Sequence, residues 1–323
     1  MGTSPLGKNQ PQINFDKKEL NILYSNFMSM DSNKNGLVEL AGQPNINAEE
    51  YGNLMIPVPP IDTQRNIANI FLHAVEKRQK KLYEAKELIN GINDYLMSVV
   101  KIIPKTEERV AFLPSMHKLS SIIGGRYDPQ QFHPERVNMI EQIQQKEWRR
   151  LRDVVASEKS VVTSLSQDEI YVGMENIDGE TGEYLPLKDK TEISSAVSFQ
   201  KGDILFPKLR PYLNKVYRAQ FSGCCSTEFH VFQARDIDPN YLTIVLRSKM
   251  VLAQTKHLMT GNTLPRLQTV DIDNLIIPYP DIKVQREIVE SVTKIMNRAR
   301  KLQKAGNALL ENAKKEIEKL IIA

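Results

Sequence analysis

The chain has 323 residues, 41% hydrophobic and 25% charged, which is ordinary globular composition with length for about two domains. Its 43 basic and 39 acidic residues leave a net charge of +4, so bulk charge singles out neither nucleic acid nor a membrane surface as partner. The only cysteines, Cys224 and Cys225, are adjacent and offer no spaced pair for a disulfide framework or a zinc site. No apolar h-region or membrane-length apolar run occurs, and the expectation is a cytoplasmic protein with no membrane role.

In chain order, the first feature is one half of an internal repeat. Residues 53–72 and 274–293 are identical at nine of twenty positions without a gap, where unrelated segments would share roughly one. The same offset sets Leu20 to Tyr24 against Tyr241 to Val245, Pro44 against Pro265, Ile46 against Leu267 and Asn47 against Gln268. Residues 1–60 therefore read as the tail of a unit whose head is missing. Its apolar Leu20, Leu23, Tyr24 and Leu37 call for cover, for which a partner chain's domain is a reasonable candidate. Asp31-Ser-Asn33-Lys-Asn35-Gly36 imitates the start of a calcium-binding EF-hand loop. Position 12 of that loop is Gly42 where a bidentate Glu is required, so a polar turn is the better account.

Residues 61–103 carry Ile67, Ile70, Phe71, Ala74, Val75, Leu82, Ala85, Leu88, Ile89, Ile92, Leu96 and Val99 at three- and four-residue steps, the pattern of a long amphipathic helix. Residues 104–280 form the complete unit. Within it, short apolar runs broken by Gly, Pro, Asn and Ser over 199–235 predict strands and turns, and Tyr241 to Leu258 returns to helical spacing. Residues 281–323 repeat the helical pattern, with Ile288, Val292, Ile295, Ala299, Leu302, Leu309, Ala313 and Leu320 in near-heptad spacing. Each long helix should run about 35–40 residues, or roughly 55–60 Å. The fold expected is α+β: a mixed α/β domain with a small β-sheet, flanked by two long helices forming an antiparallel coiled coil.

Charge is unevenly placed. Residues 201–270 hold ten Lys/Arg against four acids, and Lys146-Glu-Trp-Arg-Arg-Leu-Arg152 adds a basic cluster around the only tryptophan. Arg and Lys interleaved with Asn, Gln, Ser and Thr suit phosphate contact and base-edge reading, although a solvated basic surface gives the same pattern. Motifs for catalysis fail: there is no Walker A, Gly-x-Gly-x-x-Gly, Gly-x-Ser-x-Gly or His-Glu-x-x-His. Glu180, Glu183 and Lys188, or Asp203 with Lys208, could be cast as a nuclease metal site, but such acid and lysine combinations arise often in any charged chain. The five histidines are scattered in sequence, so no metal site, cofactor or catalytic residue is expected.

The junction Ile-Pro-x-Pro-Pro-x-x-x-Gln-Arg-x-Ile ahead of a long helix, the stretch Gly202-Asp-Ile-Leu-Phe-Pro-Lys-Leu-Arg-Pro-Tyr-Leu-Asn-Lys215 and the later Ser226-Thr-Glu-Phe-x-Val-Phe232 resemble the specificity subunit of type I restriction-modification systems. The resemblance implies a non-catalytic subunit in which a target-recognition domain reads half of a split sequence in double-stranded DNA. It also implies that long helices separate such domains and dock methyltransferase and restriction subunits. A typical member has two complete recognition domains. Here residues 1–60 represent the first only by its tail, so a homodimer or pairing with another specificity chain would complete the reader, and a homodimer would imply a palindromic split target. The alternative is a truncated or silent copy acting only as a coiled-coil scaffold. Candidate DNA contacts are Lys208, Arg210, Asn214, Lys215, Arg218, Arg247, Lys249, Asn262, Thr263, Arg266 and Gln268. Arg210 has a competing reading as a folding residue paired with an acid such as Asp203, and Gly261 to Thr263 as a plain turn. Arg149, Arg150 and Arg152 are candidates for phosphate or methyltransferase contact.

Overall fold

The computed structural model describes residues 58–103, 129–157, 160–163, 169–186, 195–260 and 264–322. Almost all of the tail assigned to residues 1–60 lies outside the described residues, with Leu20, Leu23, Tyr24, Leu37 and the EF-hand imitation. By compactness the chain divides into residues 1–82 with 303–323, and residues 83–302, so the boundaries fall inside the long helices.

The long helices are α1, Ile61–Val99, and α7, Ile282–Ile322, 39 and 41 residues long. Both start by the same device, copied through the repeat. Gln64 Nε2 donates to the Pro59 carbonyl at 2.7 Å, and Gln285 Nε2 to the Pro280 carbonyl at 2.9 Å. Each glutamine thus ties the first turn to the prolines that precede it, where backbone groups lack helical partners. α1 ends in a Schellman closure: Lys101 takes the left-handed conformation (φ 56°), Ile102 N–H donates to the Met97 carbonyl, and the Ile102 side chain is buried.

In the first unit, Arg78 Nε on α1 donates to Asn307 Oδ1 on α7 at 3.2 Å, beside the buried Gly306. In the second unit, Leu96 of α1 shares a core with Ile288 and Val292 of α7, with Ile92 and Met296 packed against it. The helices run antiparallel, as their patterns predicted. Small residues sit at the tightest positions of the seam, Ala85 and Ala299 being all but inaccessible.

Between the long helices lie α2, Pro134–Gln144; β1, Trp148–Arg150; α3, Leu151–Val154; β2, Val155–Ser157; β3, Val161–Val162; β4, Tyr171–Val172; β5, Ala196–Phe199; β6, Ile204–Pro207; β7, Tyr217–Arg218; β8, Gly223–Ser226; and β9, Phe229–Ala234. They are followed by α4, Pro239–Leu246; α5, Lys249–Thr255; α6, Thr269–Asp273; and β10, Ile276–Pro278. The strands make an antiparallel ribbon β1-β10, an antiparallel sheet β2-β9-β6-β7, and a sheet β3-β5-β8-β4 whose β4-β8 pair is parallel. The small sheet structure expected from the sequence is, among the described residues, two four-stranded sheets and a ribbon.

Two cores explain the arrangement. Ile204 and Phe206 of β6 and Phe232 of β9 face one core shared with α4, α5 and the long helices, while Leu205 and Val231 face a second core with Val197, Phe199, Tyr217 and Phe229. A strand covered on both faces has no polar alternation, which accounts for the unbroken run Ile204-Leu-Phe206. Two buried side chains fix the helices to the ribbon: Gln254 exchanges both amide hydrogen bonds with the Ile276 backbone, and the Tyr241 hydroxyl donates to the Pro278 carbonyl. Among the described residues no helix is long and apolar enough to cross a membrane.

Gly306 supplies a test of the helix seam. A Cβ there would meet the Arg78 carbonyl oxygen and the Lys81 Cβ at 3.5 Å, ordinary contact distances. Gly306→Ala should therefore keep the packing, regain the helical propensity that glycine forfeits and raise stability by about 0.5–1 kcal/mol in chemical denaturation. A loss of stability would show that the helices approach more closely than this.

Candidate nucleic-acid interface

The candidate residues fall into two groups once folded. The first forms where β6 ends. Lys208 N–H donates to the Glu228 carbonyl, Leu267 N–H to the Lys208 carbonyl, and Arg210 N–H to the Pro265 carbonyl, so the loop after β6 lies along the segment before α6. Bridges Leu209 to Arg266 and Thr260 to Arg266 complete the join. Arg210 is exposed and left-handed at φ 46°, and it leads into a turn, Pro211–Leu213, on which Tyr212 and Leu213 are exposed. Leu264 is exposed as well. Gln268 Nε2 donates to Thr260 Oγ1 at 3.2 Å.

Arg266 holds this surface together. Its Nη2 meets Glu228 Oε1 at 2.6 Å and its Nε meets Oε2 at 3.0 Å, a two-toothed grip on the connection between β8 and β9. The Arg266 hydrogen bond draws the Glu228 carboxyl below the usual carboxylate range. Burial works against that shift, and the charges of Arg266 and Lys208 reinforce it. Lys208, Arg210, Arg266 and Gln268 thus come together although up to sixty positions separate them in sequence.

The second group turns toward the helices. Arg247 follows α4; its Nη1 donates to the carbonyls of Asn214 and Val216 at 2.8 and 3.1 Å, and its Nη2 to those of Gly179 and Glu180 at 3.0 and 2.9 Å. Desolvation lowers its pKa to about 10 against a smaller opposing pull from Asp178. Asn214, left-handed at φ 55°, returns a bond from Nδ2 to the Arg247 carbonyl. Lys215 Nζ donates to the Met174 carbonyl at 2.7 Å, and Lys249 Nζ lies 3.4 Å from Asp94 of α1 while its N–H donates to Asn93 Oδ1. Arg218 contributes a buried Nε with no hydrogen-bond partner among the described residues. Asn214, Arg218 and Arg247 line a cleft of about 250 Å³ with Ile92 of α1 and Val292 and Arg300 of α7.

Arg247 Nη1 and Nη2, Asn214 Nδ2 and Lys215 Nζ, three of the residues that the sequence offered for DNA contact, thus donate to backbone carbonyls of the protein itself. Asn262 and Thr263 lie outside the described residues. Glu180 and Glu183, dismissed as a chance acidic pair, have a structural use: Glu183 pairs with Arg300 on α7, and Glu180 approaches Lys86 on α1 at 3.8 Å. Arg149 lies over the Tyr279 ring, 4.7 Å from its centroid, and Arg150 donates to Asn274 Oδ1 at 2.6 Å. Arg152 stands 3.7 Å from Asp153. Folding brings two of the scattered histidines together, because packing of α2 on α5 puts His133 and His257 in ring contact with Glu135 beside them.

The Arg266–Glu228 grip makes stability depend on acid. A carboxyl whose folded pKa lies below its unfolded value stabilises the fold above the unfolded value, and that contribution disappears as pH falls through the folded one. The melting-temperature gap between the parent and Glu228→Gln should be full near about pH 6 and shrink below about pH 4.5. A gap independent of pH would show that the pair contributes through packing alone.

The family model for the type I restriction modification DNA specificity domain matches residues 144–312. Over 192 residues the chain is 25% identical to the type I restriction enzyme EcoDI specificity subunit of Escherichia coli, covering 55% of this chain and 43% of that protein. Over 293 residues it is 23% identical to the type I restriction enzyme MjaVIII specificity subunit of Methanocaldococcus jannaschii, covering 87% of this chain and 64% of that protein. Among solved structures, the HsdS subunit from Thermoanaerobacter tengcongensis aligns with 16% identity and a TM-score of 0.40, over 88% of this chain and 64% of that one. The type I restriction-modification S subunit from M. genitalium aligns with 14% identity and a TM-score of 0.42, over 80% and 60%. The chain spans less than two thirds of the length of each of these relatives. With more than half of its residues inside the matched domain, the chain belongs to the family of type I restriction-modification DNA specificity subunits.

Proposed function

We propose that this chain reads one half of a bipartite sequence in double-stranded DNA for a type I restriction-modification complex in the cytoplasm, and catalyses nothing itself. Membership of the specificity family is the observation that carries this reading. In it, residues 104–280 are the recognition domain, and residues 61–103 and 281–323 are helices that set its distance from a second reader and dock methyltransferase and restriction subunits. A helix near 58 Å spans about one and a half turns of B-DNA, so helix length translates into spacer length.

The joined loops after β6 and before α6 are the favoured reading surface. Lys208, Arg210, Arg266 and Gln268 supply phosphate and base-edge donors there, with Tyr212, Leu213 and Leu264 as exposed apolar contacts. Lys249 and Arg218 are candidates of lower rank because they face the helices. Asn214, Lys215 and Arg247 act from behind, holding the loop that carries the reading residues. Asn262 and Thr263 belong to the same segment by sequence and stay in the proposal as base readers.

DNA binding measured by fluorescence anisotropy should weaken linearly on a log–log salt plot. Lys208→Ala should weaken binding to all sequences alike and reduce the slope by about one, as expected for one lost phosphate contact. Binding indifferent to salt would sink the proposal.

A bipartite target calls for a second recognition domain, and a second copy of this chain or another specificity chain supplies it. Light scattering of the purified chain should then give a mass near 74 kDa, twice the 36.9 kDa of one copy. A monomer, alone and with every other specificity chain of the same genome, would remove the pairing.

A further inference from the structure

Two helix ends bring together side chains with metal-binding chemistry. His133 immediately precedes α2, Glu135 lies in its first turn, and His257 follows α5. One ligand atom from each lies within 4.8 Å of the other two, and all three side chains are half-buried. His257 Nε2 is 3.1 Å from Glu135 Oε2, and the two imidazoles stack with centroids 3.3 Å apart and planes 12° from parallel. His133 Nδ1 is buried without a hydrogen-bond partner among the described residues.

We propose that His133, Glu135 and His257 form a binding site for a divalent transition-metal ion of the zinc class, with two imidazoles and one carboxylate as ligands and water completing the tetrahedron. Imidazole and carboxylate are the donors such ions take, and three protein ligands leave one open position.

The stacked geometry states what binding requires. Imidazole lone pairs lie in the ring planes, so two nearly parallel rings direct theirs side by side, and one ring must turn before both converge on an ion. Lys256 Nζ, 2.5 Å from Glu135 Oε2, occupies the cation's place and must leave it. The ion and the ammonium compete for one carboxylate, and that competition gives the test a sign. A bound ion would clip the start of α2 to the end of α5, two helices that already pack in the first core.

The experiment is calorimetric titration of the untagged full chain with Zn²⁺, repeated by Co²⁺ absorption, which reports tetrahedral coordination directly. Saturable uptake of one ion per chain is expected, weakened at least tenfold by His133→Ala and by His257→Ala. Lys256→Met retains all three ligands, removes the competing cation and should tighten binding several-fold, a readout that does not depend on how well the histidine variants fold. Absence of saturable uptake by the parent chain would overturn the site. So would uptake unaltered by both histidine variants, or affinity unmoved in Lys256→Met.

Discussion

The guanidinium of Arg247 is the tie on which the arrangement of the recognition unit rests. Among the described residues it has no carboxylate in ion-pairing contact, and four carbonyls from two segments accept from it, Gly179 and Glu180 on one side and Asn214 and Val216 on the other. A cation removed from water is tolerated when preorganised dipoles replace its hydration, and a planar group with five donors is the side chain suited to collect them. Local backbone choices are consistent with that demand. Gly182 sits at φ 73°, and a Cβ there would lie 2.5 Å from Arg247 Nη1; a Cβ on Gly179 would lie 2.5 Å from the Leu213 carbonyl oxygen. Only glycine lets the turn from Asp178 to Gly182 close over the guanidinium.

From that tie the mechanical logic runs in both directions. Toward the helices, the same turn carries Glu183 to Arg300 on α7 and Glu180 toward Lys86 on α1, while Lys249, two residues beyond Arg247, meets Asn93 and Asp94. The exposed ion pairs contribute little individually. Their value is placement, because they fix the azimuth of a sheet domain whose affinity for the helices comes from the shared apolar core. In the other direction, Asn214 ends the turn that begins at Arg210, so the loop proposed to read DNA is anchored at its far end by the residue that orients the helices.

What the sequence made legible follows from how local each signal is. The long helices, the repeat and the strands around 199–235 were readable because their patterns lie within one element, and the seam at Ile288, Val292, Ala299 and Ala313 is buried as the spacing requires. Gly306 escaped notice because a helix-seam pattern is sought among apolar side chains, and a glycine that fills the seam by having none leaves no mark. The candidate site was legible in composition but not in role. Arg247 and Arg266 look alike in sequence, yet the first faces four carbonyls and the second an acid 38 positions away. Such partners are set by the pairing of β6 with β9 and of the loop after β6 with the segment before α6, long-range contacts that no spacing rule encodes. The stack of His133 on His257 was invisible for the same reason.

The repeat shows which part of a unit is duplicated as mechanism and which as attachment. Gln64 and Gln285 bond the prolines ahead of their helices in the same way, so the start of a long helix is copied intact. Gln285 goes further: it is almost wholly inaccessible, and its Oε1 accepts the Asp238 N–H, where Asp238 caps α4 through bonds to Asn240 and Tyr241. One amide side chain therefore starts α7 with its nitrogen and fastens α4 with its oxygen, coupling helix direction to domain position at a single residue. By the repeat offset the counterpart of Asp238 is Lys17, outside the described residues, and lysine lacks the carboxylate that makes Asp238 a cap. The coupling through Gln285 therefore rests on a carboxylate that the repeat offset does not copy.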